Sequence, residues 1–240
     1  MVPDIDGQLH HFTNVGLYNG LFVIQDAETK TLWNHITGEA MYGPLVGHNL
    51  GPIGNLLQMN VRQALAMDSK MQIAISDRLY FAGGHQFGSA GSGTGRRDRN
   101  GNQPDPKAEM SPNFVRTLDK EDQRRPRMEL GLGVWTTTTH RYYPMEHIRE
   151  RGRAFVDELD GRKVLIYIDP ETNTPAALFI SASSAKIQDN EIHLDNGTVV
   201  RDGVLLDSGG RRAKAERPQQ VFTRWYGFAL TFPGCEVFGG

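Results

Sequence analysis

Eight histidines are the residues best equipped for chemistry in this chain of 240. An imidazole ligates metals and exchanges protons near neutral pH, but two or more must be spaced to reach one ion. None of the eight forms a His-x-His or His-Glu-x-x-His arrangement. His10 and His11 are adjacent, and on a strand such neighbours point to opposite faces and cannot share a metal without distortion. His35 follows Trp33-Asn34 at a strand end beside a turn, a favourable place for a functional side chain. His85 sits in a glycine-rich loop, and His140 and His147 flank a Tyr-Pro turn. His35 and His85 are therefore the candidate metal ligands, with Trp33 and Asn34 supporting a ligand pocket. Set against them is the blander reading of scattered, hydrogen-bonded histidines, which the spacing favours.

Other chemical motifs fail on spacing. The run from Gly83 to Gly95 invites a phosphate-loop reading, yet no Lys-Ser or Lys-Thr closes it and no amphipathic helix follows. Arg96, Arg97 and Arg99 are interrupted by Asp98, the pattern of a solvated loop. Gly91-Ser92-Gly93 lacks the outer glycines of a nucleophile elbow. Asp26, Glu28, Glu39, Asp169 and Glu171 fall in turns, where such residues are common without any catalytic role. Trp33, Trp135 and Trp225 each neighbour an apolar run and read as core anchors. The single cysteine, Cys235, excludes an intrachain disulfide and is more often a small buried hydrophobe than a nucleophile.

A content of 38% hydrophobic and 22% charged residues suits a folded, soluble chain. Twenty-seven glycines and twelve prolines favour short strands and turns over a helix bundle. A net charge of −2 argues against a nucleic-acid partner. No apolar run approaches the ~20 residues needed for a transmembrane helix. Strands are predicted over 7–13, 20–25 and 31–34, with turns at 26–30 and 37–39, the spacing of an antiparallel meander. Asn55 would cap a helix to Met67 with Leu57, Val61, Ala64 and Leu65 as its buried stripe. A short strand follows over 72–76. The next strands fall at 130–136 and 137–143, and Pro144 opens a short helix carrying Met145 and Ile148. Asp160-Gly161 turns into the clearest strand, 163–168, before others at 176–181, 191–194 and 204–207. Pro218 is expected to open a last helix burying Val221, Phe222, Trp225 and Leu230. Asp6-Gly7-Gln8-Leu9-His10 echoes Asp189-Asn190-Glu191-Ile192-His193, a faint sign of an internal repeat.

Several blocks, in order, resemble domain of unknown function family 3179 (DUF3179). They are the run from Gly16 to Asp26, Leu32-Trp33-Asn34, Thr37-Gly38-Glu39-Ala40, Gly43-Pro44-Leu45-Val46-Gly47, and the closing stretch from Pro218 to Gly234. Leu130-Gly131-Leu132-Gly133-Val134 followed by Tyr143-Pro144 resembles the family's strand, Tyr-Pro and helix opening. The likeness implies no activity. It does imply a Cys-Pro-x-Cys-like motif just upstream of Val2, which this sequence lacks. Near Tyr167 the second-half equivalent has Asp169 and Thr172 in place of thiols. The resemblance therefore implies no thiol-based metal or redox chemistry for these residues, and the natural product is expected to extend upstream.

The expected fold is mainly β (α+β), with two related antiparallel lobes and short helices. The lobes span 1–81 and 128–240, joined by a Gly/Arg/Pro-rich loop over 82–127. The favoured function is non-catalytic binding or scaffolding. The alternative is a metal-dependent or redox enzyme with a histidine-containing site between the lobes. No cofactor is required by the sequence, and a transition metal is the class its histidines admit. As written the chain reads as cytoplasmic, and as belonging to the cell envelope if its start lies upstream.

Overall fold

A computed structural model describes residues 4–51, 54–72 and 112–239 of the chain. The expected strand at 72–76 beyond Gln72, the loop over 82–111 and His85 lie outside the described residues. The chain divides into two compact units, Met1–Leu50 with Ile73–Glu121 and Gly51–Gln72 with Asp122–Gly240. The architecture is mainly β, in several antiparallel sheets with short helices. Among the described residues, no helix is long and apolar enough to cross a membrane.

In the first unit, β1 (Asp4–Ile5) and β2 (Gln8–Leu9) form a small hairpin. Next, β3 (Phe12–Tyr18), β4 (Leu21–Asp26), β5 (Leu32–Asn34) and β6 (Ala40–Tyr42) make the expected meander in sequential order. Asn19 and Gly20 join β3 to β4 with φ of 51° and 68°, the two left-handed residues a tight hairpin needs to match strand twist. His10 and His11 lie between β2 and β3, so the predicted 7–13 strand is broken there. Trp33, Ile5 and Ala40 are the buried centre, packed by Phe12, Ile24, Leu45 and Leu50.

The second unit takes α1 (Val61–Met67), which starts later than expected. Asn60 is its cap: its side chain accepts from the Gln63 amide while the Gln63 side chain accepts from the Asn60 amide. This reciprocal box satisfies two otherwise orphaned donors. The predicted apolar stripe is corrected, since Val61 is 60% and Leu65 46% exposed while polar Gln63 is buried. Asn55 is released from capping and clamps another segment, donating to the Pro218 carbonyl and accepting from the Gln220 amide. A single helical turn, α2 (Pro112–Val115), belongs to the first unit.

Beyond it run β7 (Leu130–Trp135), β8 (His140–Pro144), α3 (Met145–Glu150), β9 (Ala154–Leu159), β10 (Arg162–Ile168) and β11 (Pro175–Phe179). They are followed by β12 (Ala185–Gln188), β13 (Glu191–Leu194), β14 (Val199–Arg201) and β15 (Val204–Leu206). The chain closes with β16 (Gln219–Arg224), α4 (Trp225–Thr231) and β17 (Glu236–Val237). Three sheets result, in orders β16-β7-β8-β17, β11-β10-β9 and β12-β13-β14-β15. The helix predicted from Pro218 is half strand: Val221 and Phe222 pair in β16 with Gly133 and Leu132 of β7, and only Trp225 onward is helical.

β10 is buried on both faces, which is why it reads as an unbroken apolar run rather than an alternating one. Val164, Ile166 and Ile168 join Leu132, Val134 and Ile148 on one side. Leu165 and Tyr167 join Leu178, Ile192 and Leu205 on the other. Trp225, Phe228 and Ala229 of α4 pack on Tyr142 and Cys235 in a third cluster. The glycines of β7 permit this. A Cβ at Gly133 would fall on the Phe228 ring, and one at Gly131 would meet the Tyr142 ring and the Tyr143 carbonyl.

Candidate functional site

One hexapeptide pattern, Asp-x-Glu-Thr-x-Thr, occurs twice. Asp26-Ala27-Glu28-Thr29-Lys30-Thr31 links β4 to β5, and Asp169-Pro170-Glu171-Thr172-Asn173-Thr174 links β10 to β11. Both fold alike. The leading Asp amide donates to the carbonyl of the last Thr, at 3.2 and 2.8 Å. The fifth residue, Lys30 or Asn173, takes φ of 62° or 56° and donates back to the Asp carbonyl. One carboxylate oxygen accepts from the middle Thr amide and hydroxyl, and the two Thr hydroxyls lie 2.6 and 2.7 Å apart. Such turns are natural places for Asp. What sets these two apart is that both carboxylates are buried.

The surroundings differ. In the first unit, Trp33 Nε1 donates to Asp26 Oδ2 at 2.9 Å, as does the Thr31 amide at 3.1 Å. Burial pushes the Asp26 carboxyl up, but the donors from Trp33 and Thr29 outweigh it and hold the group at about 2. His10, Asp26 and Glu28 offer atoms that all lie within 4.8 Å of one another, the arrangement best suited to a cation among the described residues. In the second unit Gln63 Nε2 donates to both Asp169 oxygens, at 3.1 and 3.0 Å, and Glu171 is paired with Arg62.

The sequence-derived candidates sit close by in the first unit. Trp33 is fully buried and serves the carboxylate of Asp26 as well as the core. Asn34 Oδ1 accepts from the Ile36 and Thr37 amides, at 2.8 and 3.2 Å, organising the β5–β6 turn. His35 is exposed; its Nδ1 donates to the Phe22 carbonyl at 2.7 Å and its ring meets Phe22 edge-on. His85 lies outside the described residues. His140 stacks on Phe232, and His147 Nδ1 donates to the Phe238 carbonyl. The sequence set His10 only against its neighbour His11, and the repeated hexapeptide was the signal in it that pointed to the site. The echo it did single out comprises two hairpins turned at Asp6-Gly7 and Asp189-Asn190, a turn form that also recurs at Asp160-Gly161 and Asp202-Gly203.

The second unit holds a shallow, solvent-open groove beside the Asp169 turn. Leu56, Met59, Met67, Leu132 and Phe222 supply apolar walls. Arg217 is partly buried there, its guanidinium donating to the Ala177 and Gly203 carbonyls and to Tyr167 Oη. No carboxylate among the described residues pairs with it. Gln220 is locked by bonds from its amide group to Ala177 O and from the Ala177 amide to its Oε1.

A family model described as "Protein of unknown function (DUF3179)" matches residues 2–229. No curated protein and no solved structure matches the chain.

Proposed function

The chain belongs to the DUF3179 family of proteins of unknown function, and from that premise we propose that it is a non-catalytic binding protein. Its C-terminal unit takes a small molecule with an apolar body and an anionic end. The observation that carries this reading is Arg217, a partly buried guanidinium whose partners are all neutral oxygens. Charges withdrawn from water are ordinarily paired, and a carboxylate beside this guanidinium would gain a charge-assisted contact that its neutral oxygen partners do not supply. Apolar walls with a few fixed polar groups are the usual make-up of a small-ligand site. The remaining polar groups of the cleft are committed to holding backbone, as Gln220 is, which suits recognition better than proton transfer.

Titration calorimetry with hexanoate and benzoate, against hexanol and benzyl alcohol, tests the proposal. The carboxylates are expected to bind at least about tenfold more tightly, the ~1.4 kcal/mol of a single charge-assisted contact, and Arg217→Met to erase the difference. Equal binding of acids and alcohols, or none, removes the reading. A second reading, metal or redox chemistry at His35 with His85, has one favouring observation: Nδ1 of His35 is anchored, which leaves Nε2 as its ligating nitrogen. Metal analysis of the purified protein and of His35→Ala decides it.

A further inference from the structure

We propose that the first Asp-x-Glu-Thr-x-Thr turn, with His10, is a binding site for a divalent first-row transition cation. His10 is 2% exposed, and its Nδ1 is buried with no hydrogen-bond partner. A buried polar atom left unmet is costly, so such an atom ordinarily has a partner. It faces two carboxylates, 3.3 Å from Asp26 Oδ1 and 3.8 Å from Glu28 Oε2. A cation with tetrahedral bonds of about 2.0–2.2 Å sets its ligands about 3.3–3.6 Å apart. The Asp26 distance falls in that range and the Glu28 distance just beyond it, so the three side chains can close on one ion.

The partners around these groups do what outer partners of metal ligands do: fix orientation and charge. Trp33 Nε1, the Thr31 amide and Thr29 aim the Asp26 carboxylate. The His11 amide and Nδ1 hold Glu28 at 3.0 and 2.7 Å. His10 and His11 do face differently, buried and 72% exposed, yet both converge on Glu28. One imidazole with two carboxylates is a borderline donor set, fitting zinc, cobalt, iron or manganese better than calcium or copper(I).

The second turn supplies the internal comparison. Its Asp169 faces an amide NH₂ from Gln63, and its Glu171 faces the Arg62 guanidinium. Donors of the protein itself occupy the place that at Asp26 is faced by a bare imidazole nitrogen. The same backbone platform meets an amide and a guanidinium in one unit and an imidazole in the other.

The test is titration of the full chain with Co²⁺, after EDTA stripping, read by calorimetry and by paramagnetic shifts of backbone amides. One Co²⁺ per chain is expected, with shifts centred on residues 26–31. His10→Ala should weaken binding more than about 100-fold, beyond the ~10–100-fold of an outer partner. Glu28→Gln, at a side chain 19% exposed, should weaken it at least about 10-fold without disturbing the core. Glu171→Gln and Arg217→Met should leave it unchanged, the latter separating this site from the cleft. Absence of one-to-one binding, retention of affinity in both His10→Ala and Glu28→Gln, or shifts centred on His35 or residues 169–174 overturns the proposal.

Discussion

Asp26 keeps its charge where no solvent reaches it, and that fact has a pH consequence. Its folded-state carboxyl lies near 2 against an ordinary 3.8. A group so depressed contributes stability at pH values above the unfolded value, and the contribution disappears as pH falls from about 4 through 2. The shift corresponds to about 2 kcal/mol. Urea unfolding followed by tryptophan fluorescence should show that loss between pH 4.5 and 2 in the natural sequence. Asp26→Asn should be less stable at pH 7 and lack this component of the acid dependence. Cys235 behaves oppositely: burial pushes its thiol up to about 11, so a thiol reagent at pH 8 should modify it slowly in the folded protein and at once in urea. Residue types alone revealed little of the candidate sites. Asp26 and Asp169 are turn residues, as their setting implies, and only burial distinguishes them from Glu39 at an exposed turn. Arg217 lies in a stretch with no regular pattern, and its neighbours come from β10, β11 and the β14–β15 turn, which only folding brings together.

Among the elements, β7 is the most sensitive to a single methyl group. Gly133 lies under the Phe228 ring of α4, so Gly133→Ala must displace that helix or deform the strand. Overpacking of this kind costs about 1–3 kcal/mol. Gly16→Ala, at an open position without a left-handed φ, should stay within about 0.5 kcal/mol; thermal melts of the pair check the contrast. Elements whose signals are local were legible: the Val164–Ile168 run of β10, the Pro144 start of α3, and the Asp160-Gly161 turn. Those decided by distant partners were not. Val221 and Phe222 fit a helical stripe as well as a strand, and what makes them β16 is pairing with β7, some ninety residues earlier. In α1 the competition was between two asparagines, and Asn60 prevailed because Gln63 completes its box while Asn55 is engaged with Pro218 and Gln220.

At the scale of the molecule the two units are unequally built. Among the described residues the first has a single small buried cluster around Trp33, whereas the second has three. Apolar burial dominates folding stability, and local opening follows its distribution. Hydrogen exchange should therefore find the amides of β10 slowest of all and those of β4 and β5 faster. Equal protection in the two units would contradict that ordering. The path of the backbone adds a practical rule. Because 51–72 leaves the N-terminal unit to serve the other and 73–121 then returns, no single cut yields two whole pieces. A fragment begun at Asp122 would forfeit the side chains of Gln63 and Asn55, abandoning the Asp169 carboxylate and the Gln220 amide together. Anyone dissecting this protein must excise the middle passage and graft it onto the later one, or watch the sturdier half lose its footing first.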